Sequence, residues 1–147
     1  MYQKVLVPLD GSELAECALA EVNKLAEGGL VREIALLSVV EIPTLAMGEG
    51  IDYPMLRKSR FEKFQKYLES VRSRVISEGI GVTTEVEEGN AAQMIINYVK
   101  KNAVDLIVIA THGYSGMKRL MFGSVALRVL HDSDVPVLLI RPKSIKE

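Results

Sequence analysis

Asp105-Leu106-Ile107-Val108-Ile109-Ala110-Thr111-His112-Gly113, then nine residues, then Gly123-Ser124-Val125, is the stretch whose reading decides the fold. Leu106 to Ala110 is apolar at every position, which suits a strand covered on both faces. The run ends in a glycine loop, and Gly123-Ser124 opens a helical pattern that continues to Leu130. A helix start offers N–H groups without intrahelical partners at the positive end of the helix dipole, and glycine lets an anion come close to the backbone. The stretch therefore predicts a buried strand, a phosphate-binding loop and a helix, in that order.

Working outward, Lys4 to Leu9 (KVLVPL) and Ile34 to Val40 (IALLSVV) have the same apolar character. Asp10-Gly11-Ser12 stops the first run with turn and capping chemistry. From Leu14, the residues Ala15, Ala18, Leu19, Val22, Leu25 and Ala26 recur at helical spacing, with Ser12 as the N-cap and Gly28-Gly29 as the stop. After Val40, a stretch holding Pro43, Gly48, Gly50 and Pro54 reads as a loop of about a dozen residues, long enough to invite a functional role. Phe61, Phe64, Leu68, Val71 and Val75 step by three and four, which predicts an amphipathic helix ending at Gly79 and buried on the sheet. Val82 to Val86 alternates as a strand, and Gly89-Asn90 leads into a helix carrying Met94, Ile95, Tyr98 and Val99. Val135 to Ile140 is the last strand, followed by a short basic tail.

Strands that alternate with helices make parallel β-α units, because each parallel connection needs a crossover. The expectation is an α/β fold, a three-layer open sheet of five parallel strands in the order 3-2-1-4-5 with four helices. Pro136 cannot donate a ladder hydrogen bond, which places the last strand at an edge. That edge is apolar, and an apolar edge is a template for pairing, so a homodimer through Val135, Val137 and Leu139 is expected.

Composition narrows the function classes. A chain of 147 residues with 48% hydrophobic content suits one domain over 1–147 with a sizeable core. Lys+Arg at 18 against Asp+Glu at 19 leaves a net charge of -1, so no overall positive field favours nucleic acid or an anionic membrane. The one cysteine, Cys17, lies among apolar residues of the first helix, reads as a structural thiol, and is compatible with a reducing compartment. Pro8 and Asp10 interrupt the first apolar stretch, unlike a secretory leader, and no apolar run approaches a membrane span. A cytoplasmic location is the expectation.

In an open parallel sheet, ligands bind beyond the carboxyl ends of the strands where the order reverses. With the order 3-2-1-4-5 that crevice lies between strands one and four, where Asp10 faces Ala110 to Gly113. The loop from Gly113 through Gly116 to Gly123 carries Tyr114, Ser115, Met117, Lys118 and Arg119 over it. His112 reads as a hydrogen-bonded loop histidine, Lys118 and Arg119 as loop charges, and His131 as a partner for its helix C-terminus.

This constellation resembles the nucleotide-binding branch of the universal stress protein family. The family motif is a glycine, two residues, a glycine, nine residues, then glycine with serine or threonine. Here it stands as Ala110-Thr111-His112-Gly113, Tyr114 to Phe122, and Gly123-Ser124, with alanine in place of the first glycine. Val5 to Ser12 is similar to the family's opening strand and turn, and Val135 to Arg141 to its last strand, through which many members dimerise. The resemblance implies an adenine nucleotide α-hydrolase-like fold that binds ATP, with any Mg²⁺ carried by the phosphates. It implies that Asp10 meets the ribose and that the Val39 backbone meets adenine. Gly113, Gly123, Ser124 and Val125 would hold the phosphates, with Pro8, Leu9, Ile109, Ala110 and His112 lining the same cleft. No catalytic residue is implied, and the cellular role is one in stress survival with an unidentified protein partner.

Other classes are disfavoured by what the sequence lacks. There is no G-x-x-x-x-G-K-[ST], no G-x-G-x-x-G after the first strand, and no G-x-S-x-G around Ser115. Two distant histidines and one cysteine make no metal cluster. Three readings stay open: an ATP-binding regulatory module, a slow ATPase stabilising phosphoryl charge through Ser124 and backbone N–H groups, and a dimeric interaction protein without nucleotide.

Overall fold

In the computed structural model, which describes residues 1–42, 50, 52–75, 79–111 and 124–142, the chain opens with β1 (Val5–Pro8), buried along its whole length. Ser12 caps the following helix, its side chain accepting from the Ala15 N–H at 3.1 Å. This first helical connection is made of two consecutive segments, α1 (Glu13–Glu16) and α2 (Ala18–Glu27). Between them the Cys17 N–H reaches back to the Leu14 carbonyl, a tightened turn that separates them. Cys17 is a half-buried free thiol, its pKa raised by burial. Gly28 caps α2, and Gly29 leaves it at φ +74, a left-handed conformation that favours glycine.

β2 (Glu33–Val40) is followed by α3 (Tyr53–Arg72). Here the structure corrects the sequence expectation at both ends. Asp52 is the N-cap, accepting from the Met55 N–H at 3.1 Å, and Pro54 sits in the first turn, where its missing N–H costs no helical bond. Pro54 thus belongs to the helix rather than to the loop, and the helix ends at Arg72 rather than at Gly79. β3 (Gly81–Glu88), α4 (Ala91–Lys101), β4 (Leu106–Ala110), α5 (Ser124–Asp132) and β5 (Val137–Ile140) complete the chain. The last strand starts after Pro136, so Val135 precedes it. His131 lies in the last turn of α5, its ring nitrogen 2.8 Å from Asp132, which holds that carboxyl below the usual carboxylate range.

The strands form one parallel sheet, as the alternation of strand and helix patterns predicts, and its order is the expected β3-β2-β1-β4-β5. Its two faces bury separate clusters. Val5, Val7, Leu36 and Val108 pack under Leu19 and Val22 of α2 and Leu68 and Val71 of α3. Leu6, Leu37, Ile107 and Ile109 pack under Ile95 and Val99 of α4 and Ala126 and Val129 of α5. Strand side chains alternate between the faces, which is why consecutive residues of β1, β2 and β4 are all apolar.

β3 and β5 are the edges. On β5, Val137 and Leu139, with Val135 before it, pack partly against the second cluster, while Leu138 is exposed. On β3, Glu85 and Glu87 share a face, and a hydrogen bond between their carboxyls, aided by burial, raises Glu85 to about 7. Lys101 and Lys4 oppose that rise. A carboxyl whose folded pKa is raised contributes stability that is complete below its unfolded pKa and is lost as pH climbs through the folded value. The unfolding free energy from urea denaturation should therefore fall for the wild type relative to Glu85→Gln between about pH 4.5 and 7, by less than about 1 kcal/mol given the exposure of Glu85. Parallel pH profiles for the two proteins would contradict the shared proton.

Candidate functional site

The site begins with a proline. Leu9 sends its N–H to the Leu37 carbonyl at 2.8 Å and receives the Ser38 hydroxyl on its own carbonyl, so Leu9 faces β2. By strand alternation Pro8 faces β4, and Pro8 has no N–H to give. The pairing of β1 with β4 covers Val5–Leu106 and Leu6–Ile107 and goes no further. The two strands part there, at the place where strand order reverses, and a crevice opens.

Two backbone edges border that gap. Leu37 accepts from Leu9, so Val39, two residues on, turns its N–H and C=O to the same side, past the end of β1. Thr111 donates to Ile140 of β5, so Ala110 turns its backbone edge the other way, toward β1. Ala110 lies within β4 and is buried; among the described non-glycine residues only Ala103 has positive φ. Alanine at the first motif position therefore carries no backbone strain.

The resulting cleft is open to solvent at its mouth and is walled by the ends of β1, β2 and β4 and the first turns of α4 and α5. Of the residues singled out in the sequence, Pro8, Leu9, Asp10, Val39, Ile109, Ala110, Ser124 and Val125 line it. His112, Gly113 and Gly123 lie outside the described residues. The sequence reading missed Leu37 and Thr111, and it missed Ala91 and Ile95 on α4. The signal for α4 was present: a helix that follows a parallel strand starts at the carboxyl end of the sheet, so its first turns border the crevice.

Asp10 is held from within the chain. Its Oδ1 accepts from the Ser12 N–H at 3.0 Å and from the Ser12 hydroxyl at 2.6 Å, which fixes the carboxylate at the mouth of the cleft. Between them Gly11 has φ +90, and a side chain there would project to 3.6 Å from the Phe64 ring, so glycine suits the turn. Behind it, Tyr67 donates to Glu16 at 2.8 Å and Arg74 pairs with the other Glu16 oxygen at 3.0 Å, joining α1 to α3. Burial, and then the Glu16 hydrogen bond, raise the Tyr67 pKa, so the hydroxyl stays a neutral donor.

Three helices start around the cleft, and their electrostatics differ. α1 has Glu13 in its first turn, and the Ala91 N–H at the start of α4 is taken by the Glu41 carboxylate at 2.9 Å. Both positive ends are thus offset by acids of this chain. The first turn of α5, which begins with the exposed Ser124, holds no acidic residue. An anion from outside is favoured at α5 over the other two. Among the described residues there is no cluster of three His, Cys, Asp or Glu side chains suited to a metal ion, and no helix long and apolar enough to cross a membrane.

The chain is similar to known proteins over most of its length. It is 30% identical to the universal stress protein MJ0531 of Methanocaldococcus jannaschii, over 96% of this chain and 83% of that one. The solved structure of hypothetical protein MJ0577, from the same organism, superposes with a TM-score of 0.86 at 29% identity, covering 98% of this chain and 99% of that one. A universal stress protein family protein of Arabidopsis thaliana with AMP bound shares the fold, at a TM-score of 0.64 and 18% identity, over 97% of this chain and 93% of that one. With the Universal stress protein family model matching residues 1–141, the chain belongs to the universal stress protein family.

Proposed function

We propose that the cleft between β1 and β4 binds ATP and that the protein acts as a dimeric regulatory module in the stress response. The observation that carries this reading is one cleft with three kinds of wall. Its floor is apolar, its mouth holds a fixed carboxylate at Asp10, and its far side is a helix start free of acid at Ser124. Adenine would lie against the Val39 backbone, the ribose hydroxyls would donate to Asp10, and the phosphates would meet the start of α5. The Arabidopsis protein of the same fold holds AMP, which shows that this architecture accommodates an adenine nucleotide in that protein. Mg²⁺ would arrive on the phosphates, since the described residues present no cation cluster. The single cysteine suits a cytoplasmic setting.

The division of roles is testable at Ser124. Replacing it with alanine should leave adenosine affinity unchanged and weaken ATP by about 10–100-fold, the loss of one hydrogen bond to a charged group. Calorimetric titration of both ligands measures this, and an equal loss for the two would contradict the placement of the phosphates.

The same reading puts a second copy along β5. That strand is an edge with exposed Leu138, and Leu127 and Leu130 of α5 are exposed as well. Light scattering should give a dimer mass across micromolar concentrations; a monomer mass throughout would contradict the pairing.

A further inference from the structure

We infer that Ser38, which lies outside the cleft, is a positioning residue for nucleotide binding: its hydroxyl holds the Leu9 carbonyl just past the end of β1 and sets the orientation of Asp10. The inference rests on the reading that Asp10 meets the ribose. Ser38 is 0% exposed, a lone hydroxyl in the apolar run of β2, and apolar side chains surround it in sequence on both sides. A buried hydroxyl is unfavourable unless bonded, and this one donates to the Leu9 carbonyl at 2.9 Å. The Leu9 carbonyl belongs to the planar peptide that carries the Asp10 nitrogen, so fixing that oxygen fixes the direction in which Asp10 leaves the sheet. In a continuing parallel ladder the donor to this carbonyl would be the Val39 N–H. The Ser38 hydroxyl takes that place, and Val39 turns its backbone edge to the cleft.

Asp10 is then held at both ends. Ser12 grips its carboxylate at 2.6 Å and 3.0 Å, and Ser38 grips the peptide before it. Loss of the Ser38 hydroxyl leaves a buried carbonyl in want of a donor, which the Val39 N–H can supply only by drawing β1 and β2 together past Pro8. That movement displaces Asp10 from the ribose position.

The test compares ATP with 2′,3′-dideoxy-ATP, which lacks both ribose hydroxyls, by calorimetry. Wild type should prefer ATP by about 10–100-fold. Ser38→Ala should reduce that preference to about threefold or less, Ser38→Thr should restore it, and adding Ser38→Ala to Asp10→Ala should cost nothing further. Circular dichroism and urea midpoints of each variant establish that it is folded, and a general loss of packing would not single out the ribose hydroxyls. Retention of the full preference by folded Ser38→Ala overturns the positioning role and leaves the nucleotide reading intact. Failure of Ser38→Thr to restore it, or additive losses with Asp10→Ala, also overturns the role. Absence of ATP binding by wild type overturns the nucleotide reading itself and this inference with it.

Discussion

Asp10→Ala is expected to lower affinity for ATP and for adenosine alike, by about 10–100-fold, while the protein stays folded. The Asp10 carboxylate stands at the mouth of the cleft with Oδ1 already held by Ser12, so it is oriented before any ligand arrives. A preoriented charged acceptor gives a ribose hydroxyl a bond worth about 1.5–3 kcal/mol, and that is what truncation removes. The loss falls on the nucleoside part, so adenosine and ATP should suffer equally, in contrast to the Ser124 variant. Stability should change little, because the Ser12 hydroxyl still caps the Ala15 N–H. Titration calorimetry of both ligands decides the matter, and unchanged adenosine affinity would remove Asp10 from the site.

Leu68→Ala is expected to destabilise the fold by about 2–5 kcal/mol, the range for removing a fully buried leucine side chain. α3 is long and mostly polar, and within the helix only Leu68 and Val71 are buried. Leu68 is 0% exposed and packs in the cluster that also holds Leu19, Val22 and Leu36. The same helix carries Phe64 beside Gly11 and Tyr67 on Glu16, so its seat on the sheet also supports the turn that bears Asp10. Met55→Ala, at an exposed position of the same helix, is the control and should change stability by less than about 0.5 kcal/mol. Urea denaturation of the two variants measures the difference; a Leu68 effect below about 1 kcal/mol would mean that α3 is held by something else.

The covered parallel sheet was legible because β1, β2 and β4 are apolar on both faces, a pattern that only a sheet covered by helices requires; the order of its strands is not carried by that pattern. Ser12 was legible as a cap because its hydroxyl precedes an apolar helical stripe. The start of α3 was not, because Pro54 signals a loop as readily as a first helical turn. The break at Cys17 leaves the apolar spacing of α1 and α2 intact, so periodicity passes over it. In the cleft, Asp10 and Ala110 could be placed from strand ends, and Val39 only from the family resemblance. The parting of β1 from β4 depends on which neighbour Pro8 faces, and the role of Ser38 depends on which carbonyl its hydroxyl meets. Both are facts of register, and composition and spacing do not carry register.

The most direct test of the central claim is calorimetric titration of nucleotide-stripped protein with ATP and Mg²⁺. Saturable binding of one ATP per chain, competed by adenosine, is the result expected of a cleft that holds base, ribose and phosphates together. No heat and no thermal stabilisation by ATP, in protein that is folded, would contradict it.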